Sequence, residues 1–176
     1  MRCKRTSIVA SKKIMLLGEI GVGKTSLVNR FVSGRFRTDY MPTINVEIYT
    51  HNLPETATCP SLTLLIWDTD GNFGETIFSS VYLKNAAAAL IVADATRPAS
   101  LQAMAGLAAG WRTSRPGRPC QLLINKIDLL EPSREIELPS DLLTGAQPPL
   151  RTSAKTGDNV EAAFQNAAND IVRRGL

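Results

Sequence analysis

Along this chain, short and almost wholly apolar runs alternate with stretches whose apolar residues recur every three or four positions. The runs near Ile14–Leu17, Val46–Thr50, Leu62–Trp67, Ala88–Ala93, Gln121–Asn125 and Leu150–Thr152 read as strands. Helical spacing over Thr25–Ser33, Phe78–Lys84, Ser100–Thr113, Pro139–Leu143 and Val160–Arg173 predicts helices between them. The last starts after Asp158 and Asn159 and carries Ala162, Phe164, Ala168, Ile171 and Val172 on one face. Strands buried on both sides lose the polar alternation of a half-exposed sheet, so the expected fold class is α/β, a mostly parallel sheet with helices on both faces. The segment Asn52–Pro60, with two prolines, reads as a hairpin loop. It makes the Val46 and Leu62 strands the antiparallel edge.

Length adds that 176 residues suit a single domain, expected over 1–176 with residues 1–11 as a flexible N-terminal extension. An apolar fraction of 44% and a charged fraction of 20% are ordinary for a globular chain. The longest apolar run, Ala86–Ala93, has the length of a buried strand and not of a membrane span. The start Met1-Arg2-Cys3-Lys4-Arg5 is basic, but no apolar core follows it, which argues against a secretory signal. Cys3, Cys59 and Cys120 are odd in number and widely spaced, so a reduced, intracellular setting is expected. The lone His51 lies among polar residues and reads as a surface residue. The net charge of +4 is modest. Arg112, Arg115 and Arg118 fall in one Pro/Gly-containing stretch, read first as a solvated loop and second as a site for an acidic partner. There is no aromatic stacking pair and no basic helix, so no nucleic-acid partner is expected.

The chemistry is concentrated in five ordered segments. Gly18-Glu19-Ile20-Gly21-Val22-Gly23-Lys24-Thr25 fits G-x(4)-G-K-[ST] at every fixed position, between a predicted strand and a predicted helix. A glycine loop that opens a helix aims backbone N–H groups and the positive end of the helix dipole at one spot, a cradle for phosphate. Lys24 would reach the β- and γ-phosphates, and the Thr25 hydroxyl would ligate Mg²⁺. Tyr40-Met41-Pro42-Thr43-Ile44 offers Thr43 as a second hydroxyl for the metal. In Leu65-Ile66-Trp67-Asp68-Thr69-Asp70-Gly71, Asp68 ends a strand where a carboxylate can orient the Mg²⁺ shell, and Gly71 is set to approach the γ-phosphate. Asn125-Lys126-Ile127-Asp128 names the base: the Asp128 carboxylate can accept two parallel bonds from the ring N–H and exocyclic NH₂ of guanine. Adenine offers no such donor pair and would leave a buried charge unpaired. The Asn125 amide can hold the other edge of the base and the Lys126 stem can lie across the ring. Thr152-Ser153-Ala154-Lys155 can bring a backbone N–H to the guanine carbonyl.

With these motifs in this order, from Lys13 to about Arg173, the chain resembles the Ras-like small GTPases, and the Rab branch most of all. The resemblance implies a P-loop G domain with a six-stranded sheet, GTP and GDP binding with Mg²⁺, and two switch segments that order around the γ-phosphate. It implies nucleotide contacts from Glu19, Ile20, Gly21, Val22, Gly23, Lys24, Thr25, Ser26, Phe36, Tyr40, Thr43, Gly71, Asn125, Lys126, Asp128, Ser153, Ala154 and Lys155. Phe36 matches the aromatic residue that flanks guanine, and Tyr40 the tyrosine that closes over the phosphates. Metal contacts fall to Thr25, Thr43 and Asp68, and catalysis to Lys24, Gly71 and Asn72. The implied partners are an effector, an exchange factor and an activating protein acting through the switch segments.

The departures bear on rate. Where the family reads Asp-Thr-Ala-Gly-Gln-Glu, this chain has Asp68-Thr69-Asp70-Gly71-Asn72-Phe73. Asn72 is one methylene shorter than the glutamine that orients the attacking water, and Asp70 adds a carboxylate beside the γ-phosphate. Ile20 brings a branched side chain where an activating protein inserts its arginine. Asn45 stands where glycine is usual. The expectation is a GTP/GDP switch with slow hydrolysis; the alternative is a nucleotide-dependent binding module that scarcely hydrolyses. An ATP-dependent enzyme is disfavoured by Asn125–Asp128. The end Val172-Arg173-Arg174-Gly175-Leu176 has no cysteine, so no lipid anchor is visible in the chain. The expected location is the cytoplasm, or the periphery of a membrane through a partner.

Overall fold

The computed structural model describes residues 10–36, 45–56, 60–131, 135–143 and 148–176. The expectations for Tyr40, Thr43, Cys3, Cys59 and the N-terminal extension up to residue 9 lie outside them. Six strands are formed: β1 (Ala10–Leu17), β2 (Val46–Leu53), β3 (Leu62–Thr69), β4 (Ala86–Asp94), β5 (Cys120–Asn125) and β6 (Leu150–Arg151). They make one sheet in the order β2-β3-β1-β4-β5-β6. All neighbours are parallel except β2 and β3, which pair antiparallel from Val46 opposite Thr69 to Leu53 opposite Leu62. The sheet is thus the mostly parallel one with a single antiparallel edge that the apolar pattern implies.

The helices are α1 (Lys24–Ser33), α2 (Pro98–Ser114), the single-turn α3 (Ser140–Leu143) and α4 (Val160–Arg173). Two cores result. On one face of the sheet Ile14, Leu16, Leu64, Ile66, Leu90 and Val92 pack with Leu27 and Val28 of α1 and with Phe164 and Ile171 of α4. On the other face Met15, Leu17, Ala89 and Ile91 pack with Leu101, Met104, Ala108 and Trp111 of α2. All nine residues of the central strand β4 are buried, as a strand covered on both sides requires. Its first four are alanines, and they face Ala163, Ala167 and Ala168 of α4 on one side and Ala105 and Ala108 of α2 on the other. Small side chains on both partners let the helices sit close to the strand.

Two boundaries differ usefully from the periodicity. The predicted helix over Phe78–Lys84 is not one; 3₁₀ turns at Gly71–Ser79 and Val81–Leu83 take its place. Gly74 breaks the first turn at φ 47°, ψ −136°, and Ser80 is extended at φ −84°, ψ 156°. The Ser79 and Ser80 hydroxyls donate to the carbonyls of Thr76 and Ile77. Serines that answer nearby carbonyls in this way compete with a continuous helix. Phe78 still docks: a Cβ on Gly110 would fall 2.3 Å from its ring, so only glycine on α2 admits it. The other shift is β1, which begins at Ala10 and not at Ile14 because Ala10–Lys13 complete the parallel ladder with Leu62–Leu65. Among the described residues no helix is long and apolar enough to cross a membrane.

Candidate functional site

The parallel strands end at Leu17, Thr69, Asp94, Asn125 and Arg151, and the predicted site residues follow those ends. Because β1 lies between β3 and β4, the loop after β1 sits where the sheet reverses its winding, the usual crevice for a ligand in such folds. That loop turns through Gly18 (φ 143°), Gly21 (φ 75°) and Gly23 (φ 97°), conformations that side chains resist. Gly23 opens α1, and no side chain caps it. The first-turn N–H groups of a helix have no acceptor within the helix, so they face out of the loop as donors for an anion.

Lys24 is buried, at 6% exposure, and its Nζ donates to the carbonyls of Gly18 at 2.8 Å and Glu19 at 2.9 Å. Burial lowers its pKa from 10.5 to about 8, against the pull of the Asp68 and Asp70 carboxylates; Arg97 adds to the fall. A cation desolvated in this way is relieved by an incoming anion. Beside it, Thr25 Oγ1 donates to Asp68 Oδ2 at 2.5 Å, with Asp68 fully buried at the end of β3. A hydroxyl and a carboxylate that converge are hard oxygen donors, a set that fits Mg²⁺, which keeps water and phosphate oxygens in its remaining positions. Among the described residues no three His, Cys, Asp or Glu cluster as a metal cage.

The second-switch residues start from a short turn. Asp70 caps it by accepting from the Asn72 backbone N–H at 2.9 Å, and the Asp70 N–H donates to Asn45 O at 2.8 Å. Gly71 lies flat against the phosphate loop: a Cβ there would be 2.1 Å from Ile20 N. Any larger residue would push the two loops apart. Asn72 and Ile20 are both exposed, Ile20 at 43%.

The base-side residues form a second cluster. Asp128 Oδ1 accepts from Ser153 Oγ at 2.6 Å, and its Oδ2 lies 3.9 Å from Lys155 Nζ. Asn125, 1% exposed, donates to Val22 O at 3.0 Å and accepts from the Ala154 N–H at 3.1 Å and the Thr152 hydroxyl at 3.4 Å. Its amide therefore braces three loops. Lys126, in the left-handed region at φ 66°, donates to Gly21 O at 2.6 Å and pairs with Asp94 Oδ2 at 2.7 Å, tying the base loop to the phosphate loop. Phe36 is 38% exposed just beyond α1.

Three contributors escaped the sequence reading. Asp94, 2% exposed, ends β4 and accepts from Lys126 and from the Thr96 N–H and hydroxyl. Burial pushes its pKa up, but those hydrogen bonds outweigh it and hold the carboxyl below the usual value. Arg97 donates to Ile20 O at 2.9 Å and lies 3.6 Å from Asp94 and 3.8 Å from Glu19. Arg30 of α1 reaches Ala154 O at 2.8 Å and also Lys155 O, buttressing the base loop. A charge closing an otherwise apolar run was the one available signal, for Asp94. Arg97 and Arg30 offered none.

Comparison with known proteins gives a match to the Ras family model over residues 13–173. Among curated relatives, a GTP-binding protein from Schizosaccharomyces pombe, ypt5, is 34% identical over 168 residues, covering 93% of this chain and 79% of its own length. The Ras-related protein RABF2b of Arabidopsis thaliana is 34% identical over 170 residues, 92% of this chain and 81% of its own. The Ypt/Rab-type GTPase ypt7 of Schizosaccharomyces pombe is 31% identical over 169 residues, 89% of this chain and 80% of its own.

Proposed function

Since the chain belongs to the Ras family of small GTP-binding proteins, in its Rab branch, we propose that it is a GTP/GDP switch whose hydrolysis is slow. In this reading Glu19–Ser26 receive the phosphates, Thr25 and Asp68 hold Mg²⁺ together with Thr43, and Asp128 reads guanine with the Ser153–Lys155 backbone beside it. Phe36 and Tyr40 close over the nucleotide, and Asn125 and Lys126 keep the base loop and phosphate loop in register. Bound Mg²⁺ would supply charge neutralisation at the β- and γ-phosphates. An effector, an exchange factor and an activating protein would meet the protein at the two switches, in the cytoplasm or at a membrane periphery.

What supports slow turnover is the second switch. Positioning dominates phosphoryl transfer to water, and a residue must reach the nucleophile to orient it. The Asn72 side chain is short and exposed, on a turn pinned through its own N–H to Asp70. The Asp70 carboxylate lies close enough to bear on Lys24, so negative charge stands where the family has an apolar residue. Ile20, exposed on the loop, crowds the approach of a partner's arginine. The same observations favour the second reading, a binding module with negligible hydrolysis. Single-turnover phosphate release at saturating Mg²⁺ separates the two. Asn72→Gln with Asp70→Ala should raise the parent's rate roughly ten-fold, about 1.4 kcal/mol of barrier. An unchanged or slower double variant would remove these residues as the cause. A parent rate no faster than that of free GTP would favour the module.

A further inference from the structure

The end of the domain opposite the strand carboxyl ends carries cations from several elements at once. Lys84 precedes β4, Arg112 lies in the last turn of α2, Arg115 and Arg118 follow that helix before β5, and Arg173 and Arg174 close α4. All are exposed except Arg115, which is half-buried. They form one neighbourhood. Arg174 donates to Gly117 O at 3.1 Å, Arg112 and Arg174 both bear on the Cys120 thiol, and Arg115 bears on Lys13, which donates to Tyr82 O and Lys84 O.

Their neutralisation differs from that of Arg97, Lys126 and Lys155. At the nucleotide end, Arg97, Lys126 and Lys155 all lie against carboxylates. At this end Arg173 pairs with Asp170 at 2.7 Å, but none of Lys84, Arg112, Arg115, Arg118 or Arg174 pairs with a carboxylate among the described residues. Arg115 Nε is buried without a hydrogen-bond acceptor. Helix dipoles account for cations on the last turns of α2 and α4. They do not account for Lys84 or Arg118, which belong to no helix.

We propose that this basic end, carried by Lys84, Arg112, Arg115, Arg118, Arg173 and Arg174, docks on an anionic lipid surface. The cations rise from four separate segments. A cavity of about 290 Å³ is lined by Gln121, Pro148, Leu150, Asn166, Asn169 and Asp170, neutral groups and one acid, which does not suit an acidic peptide. A broad array of long, mostly exposed cations suits a charged plane, where each adds a roughly five-fold gain in partitioning. Docking by this end leaves the loops at the strand carboxyl ends facing away from the bilayer and open to partners.

The test is flotation of the GDP-loaded protein with vesicles of phosphatidylcholine alone or with about one third phosphatidylserine. The parent should bind only the anionic vesicles and be released as salt rises. Arg112→Gln with Arg118→Gln should weaken that binding roughly thirty-fold. The charge-matched control Arg35→Gln with Arg151→Gln, outside this end, should not. Retained GDP binding in both variants shows that they fold, and it keeps failure here distinct from failure of the nucleotide reading. Equal loss in both variants, equal binding to neutral vesicles, or no vesicle binding would overturn the proposal. Capture by a polyglutamate peptide without vesicle binding would overturn it in favour of an acidic protein partner.

Discussion

The ammonium of Lys24, held in the loop before any phosphate arrives, costs the nucleotide-free protein stability, and that cost has a defined dependence on pH. Its pKa falls from 10.5 to about 8, chiefly by burial. A lysine with a lowered folded pKa releases its proton earlier in the native state than in the unfolded chain. Between those two values the unfolded chain binds more protons, so stability rises with pH; below about 8 the full penalty applies. The shift corresponds to about 3 kcal/mol at neutral pH, and roughly 1 kcal/mol of that should be relieved between about pH 7 and pH 9. Lys24→Met removes the charge and keeps the apolar stem. It also leaves the carbonyls of Gly18 and Glu19 without their donor, at about 1 kcal/mol each. The variant should therefore be more stable than the parent at neutral pH by about 1 kcal/mol when no nucleotide is bound. The difference should shrink as pH rises. Urea unfolding of the two nucleotide-free proteins across this range measures it, and contributions from Lys13 and Cys120, common to both, cancel. Parallel pH profiles would refute the assignment of the penalty to Lys24. Added GDP should stabilise the parent and not the variant.

Other outcomes follow from the same geometry. Asn125→Ala removes a buried amide that joins Val22, Thr152 and Ala154, leaving the Ala154 N–H unanswered. It should cost about 3 kcal/mol in urea unfolding and speed the release of GDP and GTP alike, as stopped-flow fluorescence would read. Thr25→Asn alters the hydroxyl that meets Asp68 and should weaken Mg²⁺-dependent GTP binding more than GDP binding. Equal losses by calorimetry would contradict a metal role for Thr25.

The order of motifs made much of this legible. A phosphate loop between strand and helix and an Asn-Lys-x-Asp run after a later strand need no long-range knowledge, because each is local. Strand β4 and helix α4 were equally plain, the first from its apolar run and the second from its spacing. What stayed hidden depends on sheet order. Asp94 matters because β4 lies beside β5, so its carboxylate can meet Lys126 just after β5, while Arg97 meets it locally from three residues on. Arg30 matters only because α1 packs on α4, near the loop that follows β6. The Phe78–Lys84 periodicity misled because Gly74 and the serine pair break the backbone locally while their apolar neighbours still face the core. The Asn125 amide has neighbours that spacing alone does not disclose: folding brings Val22, Thr152 and Ala154 to it.

The most direct test of the guanine-nucleotide reading is base exchange at Asp128. Its carboxylate is held at one edge by Ser153 Oγ and lies within reach of Lys155, at the mouth of the base-side cluster. Asp128→Asn replaces a double acceptor with a group that presents one donor and one acceptor, the complement of xanthine and not of guanine. Competition titrations of a fluorescent nucleotide with GDP, XDP and ADP, on parent and variant, read the outcome. The parent should choose GDP over both others, and the variant should bind XDP more tightly than GDP. A parent that takes ADP as well as GDP, or a variant that still prefers GDP, would contradict the account.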